Sequence, residues 1–177
     1  MTDAFVFLAD TLLTFYLYLL ILRFIMQLTR ADFRNPVAHF VLVVTNPVIM
    51  PLRRILPPVG KVDTASVLAI AVIAAATIGV IELIVNHVLP APVPWLIGTA
   101  RMLLRAFIMF YIGAIFIYAL LSFVVQGYSP LMALLGTVVE PVLRPFRRII
   151  PPIANWDLSP LWALLALGVL LRLLHLG

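Results

Sequence analysis

Asn46-Pro47-Val48-Ile49-Met50-Pro51-Leu52-Arg53-Arg54-Ile55-Leu56-Pro57-Pro58 returns 94 residues later as Glu140-Pro141-Val142-Leu143-Arg144-Pro145-Phe146-Arg147-Arg148-Ile149-Ile150-Pro151-Pro152. The same offset sets Pro36 on Pro130 and Asp63 on Asp157 with no gap. Self-similarity at a fixed offset marks a duplicated structural unit. The chain therefore divides into a first repeat over residues 1–90 and a second over 95–177.

Outward from this knot, each repeat is flanked by apolar stretches: Ala4 to Leu28 and Thr64 to Val88, then Gly98 to Val125 and Leu158 to Leu176. A hydrocarbon core takes about 20 apolar helical residues to cross. The chain is 64% hydrophobic and 11% charged, with a mean hydropathy of +1.18. A soluble domain of this length cannot bury so much apolar surface, so the bilayer is its solvent. The expected fold class is an all-α integral membrane protein with four transmembrane helices. They form two parallel repeats, each a span, short re-entrant or amphipathic helices, and a second span.

Proline sets the punctuation. Asn35-Pro36 and Ser129-Pro130 pair an N-cap side chain with proline at the first helical position, where the missing N–H costs nothing. The runs Val37 to Thr45 and Leu131 to Val139 are too short to cross a bilayer and should dip in or lie flat. Asn46-Pro47 and Glu140-Pro141 are expected to end them, because the residue before proline is pushed out of the helical region. A second short helix should then carry each arginine pair, so that re-entrant or interfacial structure covers about 36–56 and 130–150. Pro57-Pro58 and Pro151-Pro152 stop it. Ser159-Pro160 offers a cap for the fourth span, and Asp63 or Thr64 must cap the second.

Arg30, Arg34, Arg53, Arg54 and Lys61 lie in one proline-rich linker, and Arg144, Arg147 and Arg148 in the other. The positive-inside bias puts both linkers in the cytoplasm and both termini outside. The two repeats then share one orientation. Met1-Thr2-Asp3 lacks the basic region of a secretory signal, so the first span is expected to stay in the mature protein. A bacterial plasma membrane is the expected location.

The twice-written signature, Asn35-Pro36, Thr45-Asn46-Pro47, Pro51, Arg53-Arg54, Pro57-Pro58 and Asp63, then Ser129-Pro130, Glu140-Pro141, Pro145, Arg147-Arg148, Pro151-Pro152 and Asp157, resembles the YggT/YlmG family over nearly the whole chain. The resemblance implies the four-span, two-repeat architecture. Bacterial members are connected with osmotic stress and potassium homeostasis, YlmG-type members with cell division or nucleoid distribution, and plastid members with haem attachment in cytochrome b6 maturation. It implies no agreed activity and no catalytic residues.

Two groups of residues are candidate sites. Arg53, Arg54, Arg147 and Arg148 suit phosphate headgroups or a docking partner, each basic residue near an anionic surface being worth about 1 kcal/mol. Asp10, Glu82, Arg105 and Arg172 lie inside spans, where ionisable residues are costly and tend to pair, so an intramembrane charge network is expected. Arg23 and Gln27 read as snorkelling residues. Trp95, Trp156 and Trp162 read as interfacial belts.

The function classes narrow accordingly. With no cysteine, disulfides, thiolate metal sites and covalent haem attachment to this chain are excluded. His39, His87 and His175 have no shared helix face, so neither a metal nor another cofactor is expected. No Gly-x-Ser-x-Gly, His-Glu-x-x-His or phosphate-binding glycine loop occurs, and an enzyme is not expected. The net charge of +5 sits in the membrane-flanking loops, which points to anionic lipid headgroups and not nucleic acid. The remaining partner classes are a membrane or cytoplasmic protein and a second copy of the chain. The leading expectation is a non-enzymatic membrane-organising or assembly factor. The alternative is an ion channel or transport accessory in which the apolar dips meet at mid-membrane.

Overall fold

The computed structural model describes residues 2–60, 62–125, 127–149 and 157–175. Lys61, Pro151, Pro152 and Trp156 lie outside them, as does Leu176, the end of the fourth expected span. The order is α1 (Thr2–Leu28), α2 (Pro36–Ile55), α3 (Thr64–Asn86), α4 (Pro92–Val124), α5 (Pro130–Ile149) and α6 (Ser159–Leu173). By length and composition α1, α2, α3 and α4 can each cross a bilayer, whereas α6 is a shorter apolar helix. The third expected span, placed from Gly98, is α4 and starts six residues earlier, at Pro92.

Each repeat folds as a helix triplet: α1, α2 and α3 pack together, and so do α4, α5 and α6. The main core is built by Leu17, Leu20, Ile21 and Met26 of α1 against Ala38, Val41 and Ile49 of α2 and Ala65, Ala69 and Ala74 of α3. Alanine on α3 lets two helix backbones approach closely, which is how apolar helices associate where lipid is as hydrophobic as leucine. A second core joins Ala114 and Ile115 to Leu135, Val139, Leu143 and Ala163. Phe5, Phe7, Leu12 and Phe15 of α1, with Leu161, Leu165 and Val169 of α6, face outward. That surface is suited to acyl chains.

The prolines do not end the short helices as their sequence suggests: α2 runs unbroken through Pro47 and Pro51, and α5 through Pro141 and Pro145. The spacing of four puts each proline pair on one side of its helix, and all four rings are exposed. The opposite face stays regular and packs. A proline leaves the carbonyl four residues back without its amide donor, which in α2 frees those of Val43 and Pro47. Beside that turn Arg23 Nη1 approaches the Leu42 carbonyl at 3.4 Å, and Thr45 Oγ1 donates to the Val41 carbonyl at 2.6 Å, just before the Val43 carbonyl that Pro47 frees.

The helix starts are legible in part. Asn35 caps α2 as expected, its Oδ1 accepting from the Val37 amide at 2.9 Å. Asp63 stands at the N-cap of α3 but makes no side-chain cap bond. Ser159 is already inside α6, and Asp157 Oδ1 accepts from the Ser159 amide at 2.9 Å.

Both ends of α2 lie near the C-terminal end of α1. Asn35 follows Leu28 by seven residues, and Arg53 at the other end reaches Gln27. A helix of 20 residues is about 30 Å long, so one running along α1 would carry Arg53 far from Gln27. α2 therefore lies across the end of the α1/α3 pair. α5 occupies the same end: Asn35 Nδ2 donates to the Pro130 carbonyl at 2.6 Å, and the face from Ala133 to Arg144 borders Leu28 and Thr29.

Candidate functional site

The repeated arginines and aspartates meet. Arg53, at the end of α2, donates from Nη2 to Asp63 Oδ2 at 2.6 Å and from Nε at 3.2 Å. Asp63 is 3% exposed and also accepts from Ser66 Oγ at 2.7 Å. The Gln27 amide completes a ring, its nitrogen 3.0 Å from Asp63 Oδ2 and its oxygen 2.6 Å from Arg53 Nη2. That orientation is the one in which both amide atoms find partners. Thr64 Oγ1 donates to the Pro57 carbonyl at 2.8 Å, fastening the end of the linker to the start of α3.

The second repeat makes the same clamp with different support. Arg147 Nε donates to Asp157 Oδ2 at 2.9 Å and Nη1 to Glu140 Oε2 at 2.5 Å. Glu140 stands where the first repeat has Asn46. Two carboxylates share one guanidinium here, and both are far more exposed than Asp63, at 38% for Asp157 and 47% for Glu140.

Burial works against ionisation of both aspartates, and pairing overcomes it. For Asp63, desolvation is outweighed by hydrogen bonds from Arg53 and Ser66 and by the charges of Arg53 and Arg23, holding the carboxyl below the ordinary carboxylate range. For Asp157, desolvation is likewise outweighed by hydrogen bonding from Ser159 and Arg147. Arg147 is raised: its own burial is more than offset by Asp157, Tyr118 and Glu140.

Arg23 is a residue whose role the sequence did not disclose. It does not snorkel: it is 2% exposed, and Nη1 donates to Thr45 Oγ1 at 2.7 Å and Asn46 Oδ1 at 2.8 Å. It therefore braces the turn that leads into Pro47. The available signal was its spacing of four from Gln27, which sets both polar groups on one face of an otherwise apolar helix. The second repeat has Ile117 at this place, and Glu140 bonds Arg147 directly.

The arginine pairs thus divide. Arg53 and Arg147 are clamps, each held by a carboxylate of its own repeat. Arg54 and Arg148 are exposed, and with Arg30, Arg34 and Arg144 they make five exposed arginines at the end of the bundle where α2 and α5 lie.

The expected intramembrane network is not assembled among the described residues. Asp10 accepts from Thr14 on its own helix at 3.3 Å, and Glu82 from Asn86 at 2.5 Å. Arg105 and Arg172 are exposed on the helix surface. Trp95 wedges between helices: its Nε1 donates to the Ala75 carbonyl at 2.9 Å, with its ring against Gly79. Trp162 is exposed on α6. His39 is exposed on α2, while His87 and His175 follow the ends of α3 and α6 with positive φ.

Comparison with known proteins agrees with the duplication. The family model described as CCB3/YggT matches residues 2–84 and 97–176, one segment per repeat. An uncharacterised protein named YggT from Escherichia coli K12 is 35% identical over 164 residues, covering 93% of this chain and 85% of its own. An uncharacterised Pseudomonas aeruginosa protein is 37% identical over 172 residues, covering 96% and 87%. One from Vibrio alginolyticus is 40% identical over 156 residues, covering 88% and 84%. No solved structure matches the chain. The chain belongs to the CCB3/YggT family.

Proposed function

We propose that this protein is a non-enzymatic organiser of the plasma membrane, holding anionic headgroups and a protein partner at a basic cytoplasmic end. The observation that carries the reading is the division of labour within each arginine pair. The first arginine fastens the linker to the next helix, and the second is left on the surface with Arg30, Arg34 and Arg144. Anionic lipid attracts such groups by about 1 kcal/mol each near the surface. α2 and α5 lie at the bilayer surface or dip shallowly into it, with both termini outside the cell.

The test is purification into lipid nanodiscs with mass spectrometry of everything retained, for the native chain and for Arg54→Gln with Arg148→Gln. Loss of anionic lipid and of a near-stoichiometric protein from the variant supports the reading. A native chain that retains neither, set beside potassium or sodium flux in proteoliposomes, overturns it in favour of transport.

A further inference from the structure

The two repeats present opposite versions of one helix face. On α2 the face carries His39, Leu42, Val43, Asn46 and Met50. On α5 the matching positions are Ala133, Gly136, Thr137, Glu140 and Arg144. Large apolar side chains have been replaced by small ones, and Met50 and Val43 by a cation and a hydroxyl. The result is a groove of about 590 Å³ between α5 and the end of α1, walled by Leu28 and Thr29. Sites for small molecules and cofactors commonly enclose about 300–1,000 Å³.

Its chemistry is specific. Arg144 is exposed and takes no part in the ion pairs among the described residues. One turn away, Glu140 gives Oε2 to Arg147, and its other oxygen has no partner among the described residues. Thr29 and Thr137 donate their hydroxyl protons to backbone carbonyls, to Ile25 at 2.9 Å and to Ala133 at 3.1 Å. Their oxygens remain acceptors. The groove thus offers one anion-binding group and three acceptors, with its two charges cancelling.

We propose that this groove is the headgroup site of an ethanolamine phospholipid. Arg144 holds the phosphate, while Glu140, Thr137 and Thr29 accept from the primary ammonium. A headgroup with balanced charge and N–H donors fits better than an anionic one, because Glu140 and Asp157 already share Arg147 and Arg144 alone faces a further negative charge. Choline lacks N–H groups and leaves the acceptors unsatisfied. Leu28, exposed at the rim, suits the start of an acyl chain, which favours a lipid over soluble phosphoethanolamine. The proposal rests on α5 lying at the bilayer surface, and not on recruitment of anionic lipid by Arg54 and Arg148.

The experiment reconstitutes the full chain in nanodiscs with equal amounts of ethanolamine, N-methyl, N,N-dimethyl, choline and glycerol phospholipids and weighs retained lipid by native mass spectrometry. Ethanolamine lipid is expected over choline lipid by about tenfold, the worth of one charge-assisted hydrogen bond, with retention falling as methyl groups are added. Arg144→Met, and separately Gly136→Leu with Thr137→Val, install the first repeat's residues and should bring the ratio close to one. Anionic lipid held through Arg54 and Arg148 should persist in these variants, separating this site from the broader reading. Equal retention across the methylation series of the native chain overturns the proposal even if the variants fold poorly. So does a preference that survives both substitutions.

Discussion

Arg53→Gln should be among the most damaging single polar changes in this protein, while its repeat partner Arg147→Gln should be mild. Asp63 is 3% exposed and receives its charge-neutralising contact from Arg53. Removing one member of a buried pair costs about 3–5 kcal/mol, because the other charge is stranded. Ser66 and Gln27 still donate to Asp63, so the lower end of that range is expected. Asp63→Asn should be at least as costly, since Arg53 would then face the buried Arg23 cation with no carboxylate between them. Asp157 and Glu140 are 38% and 47% exposed, so Arg147→Gln strands charges that water and headgroups can reach, at about 1 kcal/mol. The assay is thermal unfolding in one mild detergent, followed by tryptophan fluorescence and by retention of soluble protein after heating. Equal losses for Arg53→Gln and Arg147→Gln, or a near-native Arg53→Gln, would refute the assignment of Asp63 as a buried, pair-dependent charge.

Other consequences are smaller or more local. Gly79→Ala places a Cβ 3.0 Å from Trp95 Cζ2; overpacking of this kind costs about 1–3 kcal/mol. The displaced indole should lose its bond to Ala75 and shift its emission. Both clamp aspartates titrate below their unfolded value of about 3.9. Their stabilisation is therefore complete above that value and lost as pH falls through the folded one, so melting points should be level above about pH 5 and drop below about pH 4. Much of that drop should be absent in Asp63→Asn. Arg105→Leu should change stability by no more than about 0.5 kcal/mol, as for an ordinary surface position; a large loss restored by neutralising Asp10 would revive the charge network.

What the sequence disclosed follows from what repeats and periodicity encode. The offset of 94 residues singled out the arginines and aspartates of both clamps without pairing them, and the Asn35-Pro36 pair marked the start of α2 to the residue. Pro47 sits mid-helix because local backbone preference yields to packing: its ring is exposed while Val41, Thr45 and Ile49 are buried on the other side. Arg23 braces the preceding turn from another helix, 22 residues from Thr45. Blindness to three dimensions left Arg23 among the snorkelling residues. It also grouped Asp10, Glu82, Arg105 and Arg172 by depth alone. Depth along a helix is a matter of counting, but the side of the helix on which a charge emerges depends on how its neighbours pack. Length misleads too: α2 has enough apolar residues to cross a bilayer, and only its contacts at both ends show it lying across the bundle.

That arrangement is the centre of the account, and the absence of cysteine makes it directly measurable. Single cysteines at Phe33, before α2, at Val59, after it, at Tyr128, before α5, and at Val88, beyond α3, all fall on exposed side chains. Labelling with a membrane-impermeant maleimide should modify the cysteine at Val88 in intact cells. Those at Phe33, Val59 and Tyr128 should react only after the membrane is opened. Phe33 and Val59 reacting from opposite sides would mean that α2 crosses the bilayer. The proposal of one shared cytoplasmic end, carrying the two clamps and five exposed arginines, would then be contradicted.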